Sequence, residues 1–338
     1  MKMNGYERVM AAIAGARGTE IPAAPLLMTF AASHIGVPYD RYVWDARLLV
    51  EAQCVTAEAY DLDIVTVCSD PVREAHACGV RCNFPEDGVP SAAEPAIRDP
   101  ADLARLEIPD PLRAERMRDR VEAVRLFRER VGGQRAILGW IESPFQEVTV
   151  LHGLQQTMLD LVDRPDFVRD MLEFAVEMET RFGLAQLAAG ADIIGAGDAV
   201  ASLLSPWHYE AFSLPYMRRV CQALQQAGAK VKYHACGNTE HLLASFAGVG
   251  ADIHNTEADL GLARSRMGDG VCLKGNVDTV KHLLEGTPEE VYAAGQAAIR
   301  AAGGYKVILS AGCEVPRTTP PDNLRALVRA AREYPVHA

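Results

Sequence analysis

Eight short apolar runs, each separated from the next by an interval long enough for a helix, constrain this chain more than any other feature. They are Ala23–Thr29, Asp63–Ser69, Arg135–Ser143, Ala191–Gly197, Lys230–Gly237, Ala251–Glu257, Val271–Val277 and Tyr305–Ala311. Helical periodicity marks Phe167 to Gln186, the stretch after Ser205-Pro206, Thr239 to Ala247, Thr287 to Ala301 and Pro321 to Glu333. Strands alternating with helices form a parallel sheet, because a parallel return needs a crossover of a dozen or more residues. A count of eight predicts an α/β fold in which that sheet closes into a (β/α)8 barrel. An open doubly wound sheet is the competing arrangement, but no G-x-G-x-x-G follows the first run. The 338 residues suit one such domain, spanning 1–338.

The interval from Asp70 to Gln134 is longer than one helix needs. Pro85 to Pro90 (PEDGVP) and Arg98-Asp99-Pro100 are turn chemistry. An inserted hairpin or loop excursion is therefore expected after the second strand, over roughly 71–134. Cys78 and Cys82 fall inside it. With no second pair or histidine beside them, they read as structural cysteines.

In a closed barrel the reacting groups gather at the C-terminal ends of the strands. The sequence puts Asp70, Glu142, Asp198, His234 with Cys236, Asn255 with Glu257, Asn276 with Asp278, and Cys313 at those ends. His234 and Cys236 are two apart on a strand and share a face. With Cys313 they make one imidazole and two thiolates, a three-ligand zinc set that leaves a fourth position open, as catalytic zinc requires. Buried cysteines beside a satisfied core histidine are the other reading of the same residues. His254 points the opposite way on its strand and is expected to pack. His208 and His241 fall on helices, as surface or supporting residues.

Charge and cysteine usage exclude several classes. A formal net charge of -11, with no cluster of lysine or arginine, argues against a nucleic-acid partner. No apolar run approaches the ~18 residues of a membrane span. The eight cysteines are scattered, and Met1 leads into a polar helix rather than a signal peptide. Reduced thiols in a soluble cytoplasmic protein are expected.

Four stretches together resemble the uroporphyrinogen decarboxylase superfamily, and within it the zinc-containing corrinoid-dependent methyltransferases. They are His234 to Thr239 (HACGNT), Gly275 to Asp278 (GNVD), Gly286 to Val291 (GTPEEV) and Leu309 to Pro316 (LSAGCEVP) followed by Thr319 to Asn323 (TPPDN). Asp63 to Gly79 looks like the family's second strand with its terminal aspartate, here Asp70. Asp198 to Tyr216 looks like the segment before a Pro-Tyr helix. The decarboxylases carry arginines in an early loop and a histidine after the last strand. Here the early loop, Leu27 to Gly36, has no arginine, and Cys313 takes the histidine's place. Substrate carboxylates in such a pocket would go unpaired, at several kcal/mol each. The His-x-Cys and distant Cys of the methyltransferase branch are intact.

That resemblance implies a methyl group moved between a corrinoid (cobalamin), carried by a separate corrinoid protein, and a zinc-activated small substrate. The substrate is a thiol such as coenzyme M, tetrahydrofolate, or a methoxylated aromatic donor; the direction stays open. His234, Cys236 and Cys313 are the implied zinc ligands. Glu257 is the candidate fourth, by similarity to the cobalamin-independent methionine synthases, or else a pocket acid. Asp70 and Asp198 are candidates for orienting substrate or exchanging protons, and Asn276 for binding through its amide. Related methyltransferases often have aspartate near position 255, where this chain has Asn255. A homodimer is possible by the same analogy. Decarboxylation or another lyase reaction is the alternative activity, and a non-catalytic metal- or corrinoid-binding role a third.

Overall fold

The computed structural model describes residues 3–335 apart from 17 and 19. Its strands, in chain order, are β1 (Ile64–Thr66), β2 (Arg81–Asn83), β3 (Ser91–Glu94), β4 (Ala136–Glu142), β5 (Ile193–Asp198), β6 (Lys230–Ala235), β7 (Ile253–Asn255), β8 (Cys272–Val277) and β9 (Val307–Ala311). Seven form one parallel sheet in the order β1-β4-β5-β6-β7-β8-β9.

An eighth stave closes the ring without becoming a regular strand. Leu309 N donates to Pro22 O at 2.8 Å, Ala24 N to Leu309 O at 2.9 Å, and Asp63 N to Ala23 O at 3.1 Å. Parallel bridges join Ala23 to Leu309 and Leu26 to Glu314. Pro22 and Pro25 have no N–H to give, so the ladder is interrupted on both sides of Ala23-Ala24. The expected strand Ala23–Thr29 is therefore shorter than its apolar run, and Thr29 already opens a helix, Thr29–His34.

Side-chain parity then sorts the barrel. Trp140, Lys232, His234, Asn255, Lys274 and Ser310 point inward and touch one another. Their neighbours point outward: Tyr233 and His254 meet Phe246 of the helical layer at ring-centroid distances of 5.5 Å and 4.7 Å. His254 packs as expected. The helix expected over Thr239 to Ala247 breaks into three short turns, Glu240–Leu242, Leu243–Phe246 and Ala247–Val249, ahead of Gly250, whose φ of 79° ends the run.

Between β1 and β4 lie an antiparallel β2-β3 hairpin, a short helix Pro100–Arg105 and the long helix Glu115–Val131. That last helix packs on β4 as the barrel's own crossover, so only the part before it departs from the repeating pattern. Cys78 is buried and Cys82 half-buried; both are free thiols. No described helix is long and apolar enough to cross a membrane.

The lower seam is held by charge. Asp63 is wholly buried between the two ends of the chain. Its carboxylate takes Arg8 at 2.6 Å, Arg332 at 2.9 Å and the N–H of Ala23 at 2.6 Å. Removing one partner of such a cluster strands the others in low dielectric, at about 3–5 kcal/mol. Asp63→Asn is expected to lower stability by that order while leaving Cys236 and Cys313 in place. Thermal unfolding would register the loss, and a midpoint unchanged from the parent would refute this account of the seam.

Candidate active site

His234 sits near the end of β6, and Cys236 one residue beyond the strand. Cys313 follows β9 by two residues. Closure brings them together: Cys236 Sγ lies 3.2 Å from His234 Nε2 and 3.5 Å from Cys313 Sγ, and Cys313 Sγ lies 3.6 Å from His234 Nε2. Among the described residues, these three form the one His/Cys/Asp/Glu group whose ligand atoms all lie within 4.8 Å of one another. A tetrahedral zinc with its usual bond lengths would set its ligands ~3.8 Å apart for two sulfurs and ~3.6 Å for sulfur and nitrogen. The triad already has those spacings within a few tenths of an ångström. The residues fit the ion.

Their protonation suits it too. Burial holds the His234 imidazole below its ordinary value, so it is neutral at pH 7 and can offer a lone pair. His234 Nδ1 faces the backbone carbonyl of Asn255 at 3.4 Å, which leaves Nε2 for a metal. The two thiols share a proton: the hydrogen bond from Cys236 depresses Cys313, and the same bond, with burial, raises Cys236.

The other expected residues sort differently. Glu257 lies beside the triad but is exposed, and its Oε1 accepts the N–H of Gly237 at 2.6 Å. Gly312 makes room for it: a Cβ there would lie 2.8 Å from Glu257 Cγ. Glu257 is thus next to the ligand group without being one of its members. Asp198 faces the helical layer, since the inward position is Gly197. Its carboxylate takes the hydroxyl of Tyr233 at 2.6 Å, and burial raises its pKa. Asp70 is closed in an ion pair, with Arg116 at 2.5 Å. Burial opposes its ionisation, but Arg116 and Arg73 prevail and hold it at about 2. Asn276 gives its amide to Ala258 O at 2.9 Å, tying β8 to the loop after β7. Gly275, with φ 139°, lets the Thr256 carbonyl approach where a side chain would collide. His208 bonds Ser205 at the surface, and His241 the Leu204 carbonyl.

Several functional neighbours escaped the sequence reading. Trp140 meets the His234 ring edge-on at 6.2 Å, and Lys232 Nζ lies 4.4 Å over the Trp140 ring. Lys232, His234 and Cys236 share one parity, which was the available signal for Lys232. Glu314, next to Cys313, accepts the N–H of Thr29 at 2.8 Å and its hydroxyl at 2.7 Å, latching the early loop to the site. Beside the mouth, Glu74, Glu142, Glu147 and Glu179 are all buried around a single guanidinium, Arg73. Arg73 bonds Glu74 and Glu142 at 3.1 Å each.

On these observations the chain is a (β/α)8 barrel with a His/Cys/Cys triad at its mouth whose spacing fits a metal ion. It belongs to the uroporphyrinogen decarboxylase family, whose sequence model matches residues 4–334. A methylcobamide:CoM methyltransferase, MtbA of Methanosarcina mazei, is 28% identical over 265 residues, 77% of this chain and 76% of its own. A uroporphyrinogen decarboxylase of Methylibium petroleiphilum is also 28% identical, over 82% of this chain and 78% of its own. A solved methyltransferase from Methanosarcina mazei superposes with a TM-score of 0.90 at 24% identity, covering 98% of both chains. A B12-independent methionine synthase from a Shewanella species shares the fold, with a TM-score of 0.56 at 16% identity and coverage of 84% and 86%.

Neither carboxylate oxygen of Glu147 meets a hydrogen-bond donor of the protein, and burial, then Glu74, push its pKa well above 4.5. The folded state therefore binds a proton that the unfolded chain releases above about pH 4.5. That binding supports the fold fully below this value, and the support is lost as pH rises toward the folded pKa, by up to about 1.4 kcal/mol per unit. Glu147→Gln is neutral in both states. Its stability should match the parent below pH 4.5 and exceed it increasingly above, measured by denaturant unfolding across pH. A constant difference between the two proteins would count against a protonated Glu147.

Proposed function

We propose that this chain is a zinc-dependent methyltransferase that moves a methyl group between a corrinoid, carried by a separate protein, and a small substrate. The supporting observation is the triad: one neutral imidazole and two thiols, 3.2–3.6 Å apart, at the C-terminal mouth of the barrel. Zinc held there would take a substrate thiol as thiolate, or grip the oxygen of a methoxy group, without a separate base.

The chain's own groups account for the rest. Cys236 and Cys313 bring two negative charges against the ion's two positive ones, and His234 brings none, so a bound thiolate keeps its charge density. Trp140 covers the imidazole from the barrel side, and Asn255 O fixes its tautomer. Glu257, whose Oε1 accepts the N–H of Gly237 next to Cys236, would be the candidate to fill the fourth position when substrate is absent. Asp70 and Asp198 orient rather than react, since each carboxylate is engaged: Asp70 positions Arg116, and Asp198 positions Tyr233.

The decarboxylase reading draws on relatives of that name at comparable identity. Against it stand the lack of arginine in Leu27 to Gly36 and the engagement of Arg73 and Arg116 with buried carboxylates.

Methylcobalamin offered with a panel of thiols and folates should lose its cobalt–methyl absorbance in the presence of zinc-loaded protein. Methoxylated aromatics with reduced cobalamin test the opposite direction. Cys236→Ser and Cys313→Ser should each lose the zinc, present at roughly one per chain, and slow transfer by at least ~100-fold. Turnover of a porphyrinogen by zinc-free protein would overturn the methyltransferase reading.

A further inference from the structure

Cys313 lies two residues beyond β9, between a backbone bond from Gly312 N to Val277 O at 3.0 Å and the Leu26–Glu314 bridge, and its sulfur is placed within a few tenths of an ångström of a metal's requirement. A buried side chain adds to the hold of the sheet there. Asn255, wholly buried on β7, does so by reaching across β8: its Nδ2 donates to the carbonyl of Gly312, the residue before Cys313, at 3.0 Å. The same residue's backbone carbonyl is the one facing His234 Nδ1. One residue thus touches the supports of two ligands that stand 79 positions apart in the chain.

An asparagine amide has an oxygen and a nitrogen of nearly the same size and can be seated either way round. Only one seating donates to Gly312. Lys274 favours it from two sides: its backbone carbonyl accepts Asn255 Nδ2 at 3.3 Å, and its Nζ, buried in the barrel, donates to Asn255 Oδ1 at 2.9 Å and to Ser310 Oγ at 2.7 Å. With the amide reversed, two donors would face each other at Lys274 and two acceptors at Gly312. A lysine in a barrel interior is costly to bury, and an apolar side chain would pack there at less cost. Selecting the amide's orientation gives this lysine a function.

We propose that Lys274 is a positioning residue of the metal centre, acting through Asn255: it locks the amide that holds the Gly312-Cys313 backbone in the metal-binding register. This rests on the metal reading above. Outer-shell partners of metal ligands are commonly worth 10–100-fold in affinity.

The test compares the full-length parent with Lys274→Met, Asn255→Ala and the double variant. Zinc affinity is read by competition with a chromophoric chelator, and the cobalt(II)-loaded proteins by their thiolate charge-transfer and d–d absorption. Each single variant should bind zinc about 10–100-fold more weakly than the parent, with altered d–d bands. The double variant should bind no more weakly than Asn255→Ala alone, because both act on one contact. Equal affinity and spectrum in parent and Lys274→Met would overturn the proposal, as would losses that simply add. If Lys274→Met does not fold, the spectrum of Asn255→Ala decides: a parental spectrum refutes the strut. A parent that binds no zinc would instead refute the metal reading itself.

Discussion

Three inter-strand steps separate β6 from β9. At about 4.8 Å each, they would hold the ends of those strands ~14 Å apart in a flat sheet. The sulfurs of Cys236 and Cys313 are 3.5 Å apart. Curvature makes the site, and ring closure enforces the curvature. The geometry of the triad is therefore a product of closure, and the seam where the ring closes is its remote support. That seam has few ladder bonds, because Pro22 and Pro25 interrupt it, and it relies on Asp63 clamped between Arg8 and Arg332.

The barrel interior is unusually polar for a packed core, and its charges are placed with purpose. Lys232 and Lys274 lie on the triad's side, where the Cys313 sulfur is near both. The surplus carboxylates, Glu74, Glu142, Glu147 and Glu179, collect around Arg73, and burial raises the pKa of each. Trp140 stands at the boundary, bonding Glu142 through its ring nitrogen at 3.1 Å while meeting the His234 ring in a T-shaped contact at 6.2 Å. The indole thus stands between the triad and the carboxylates around Arg73.

Much of this was legible from the residues. Alternating runs gave the barrel, and period two put His234 and Cys236 on one face. The spacing of glycines and prolines marked the hairpin near Cys82. What failed to show was direction beyond the strand ends. Asp198 closes a strand, as a catalytic acid would, but parity turns it outward to Tyr233, because the inward place belongs to Gly197. Asp70 looked free, since its partner Arg116 is 46 residues away on the helix that follows the insertion. Lys274 carried no motif, and Ser310 lay in the Leu309–Pro316 stretch with no role attached; their pairing depends on the stagger of β8 against β9, with Asn276 opposite Ser310, which no local pattern encodes.

Glu314 joins the Cys313 loop to the early loop through two hydrogen bonds to Thr29. Because it follows Cys313 directly, the peptide that carries a triad sulfur also carries the tether of the segment beyond the first stave. Under the metal reading proposed above, a turn of that peptide on filling the triad would be passed to Thr29 and the Thr29–His34 helix it begins, so occupancy of the site would become mechanically visible at the rim of the barrel.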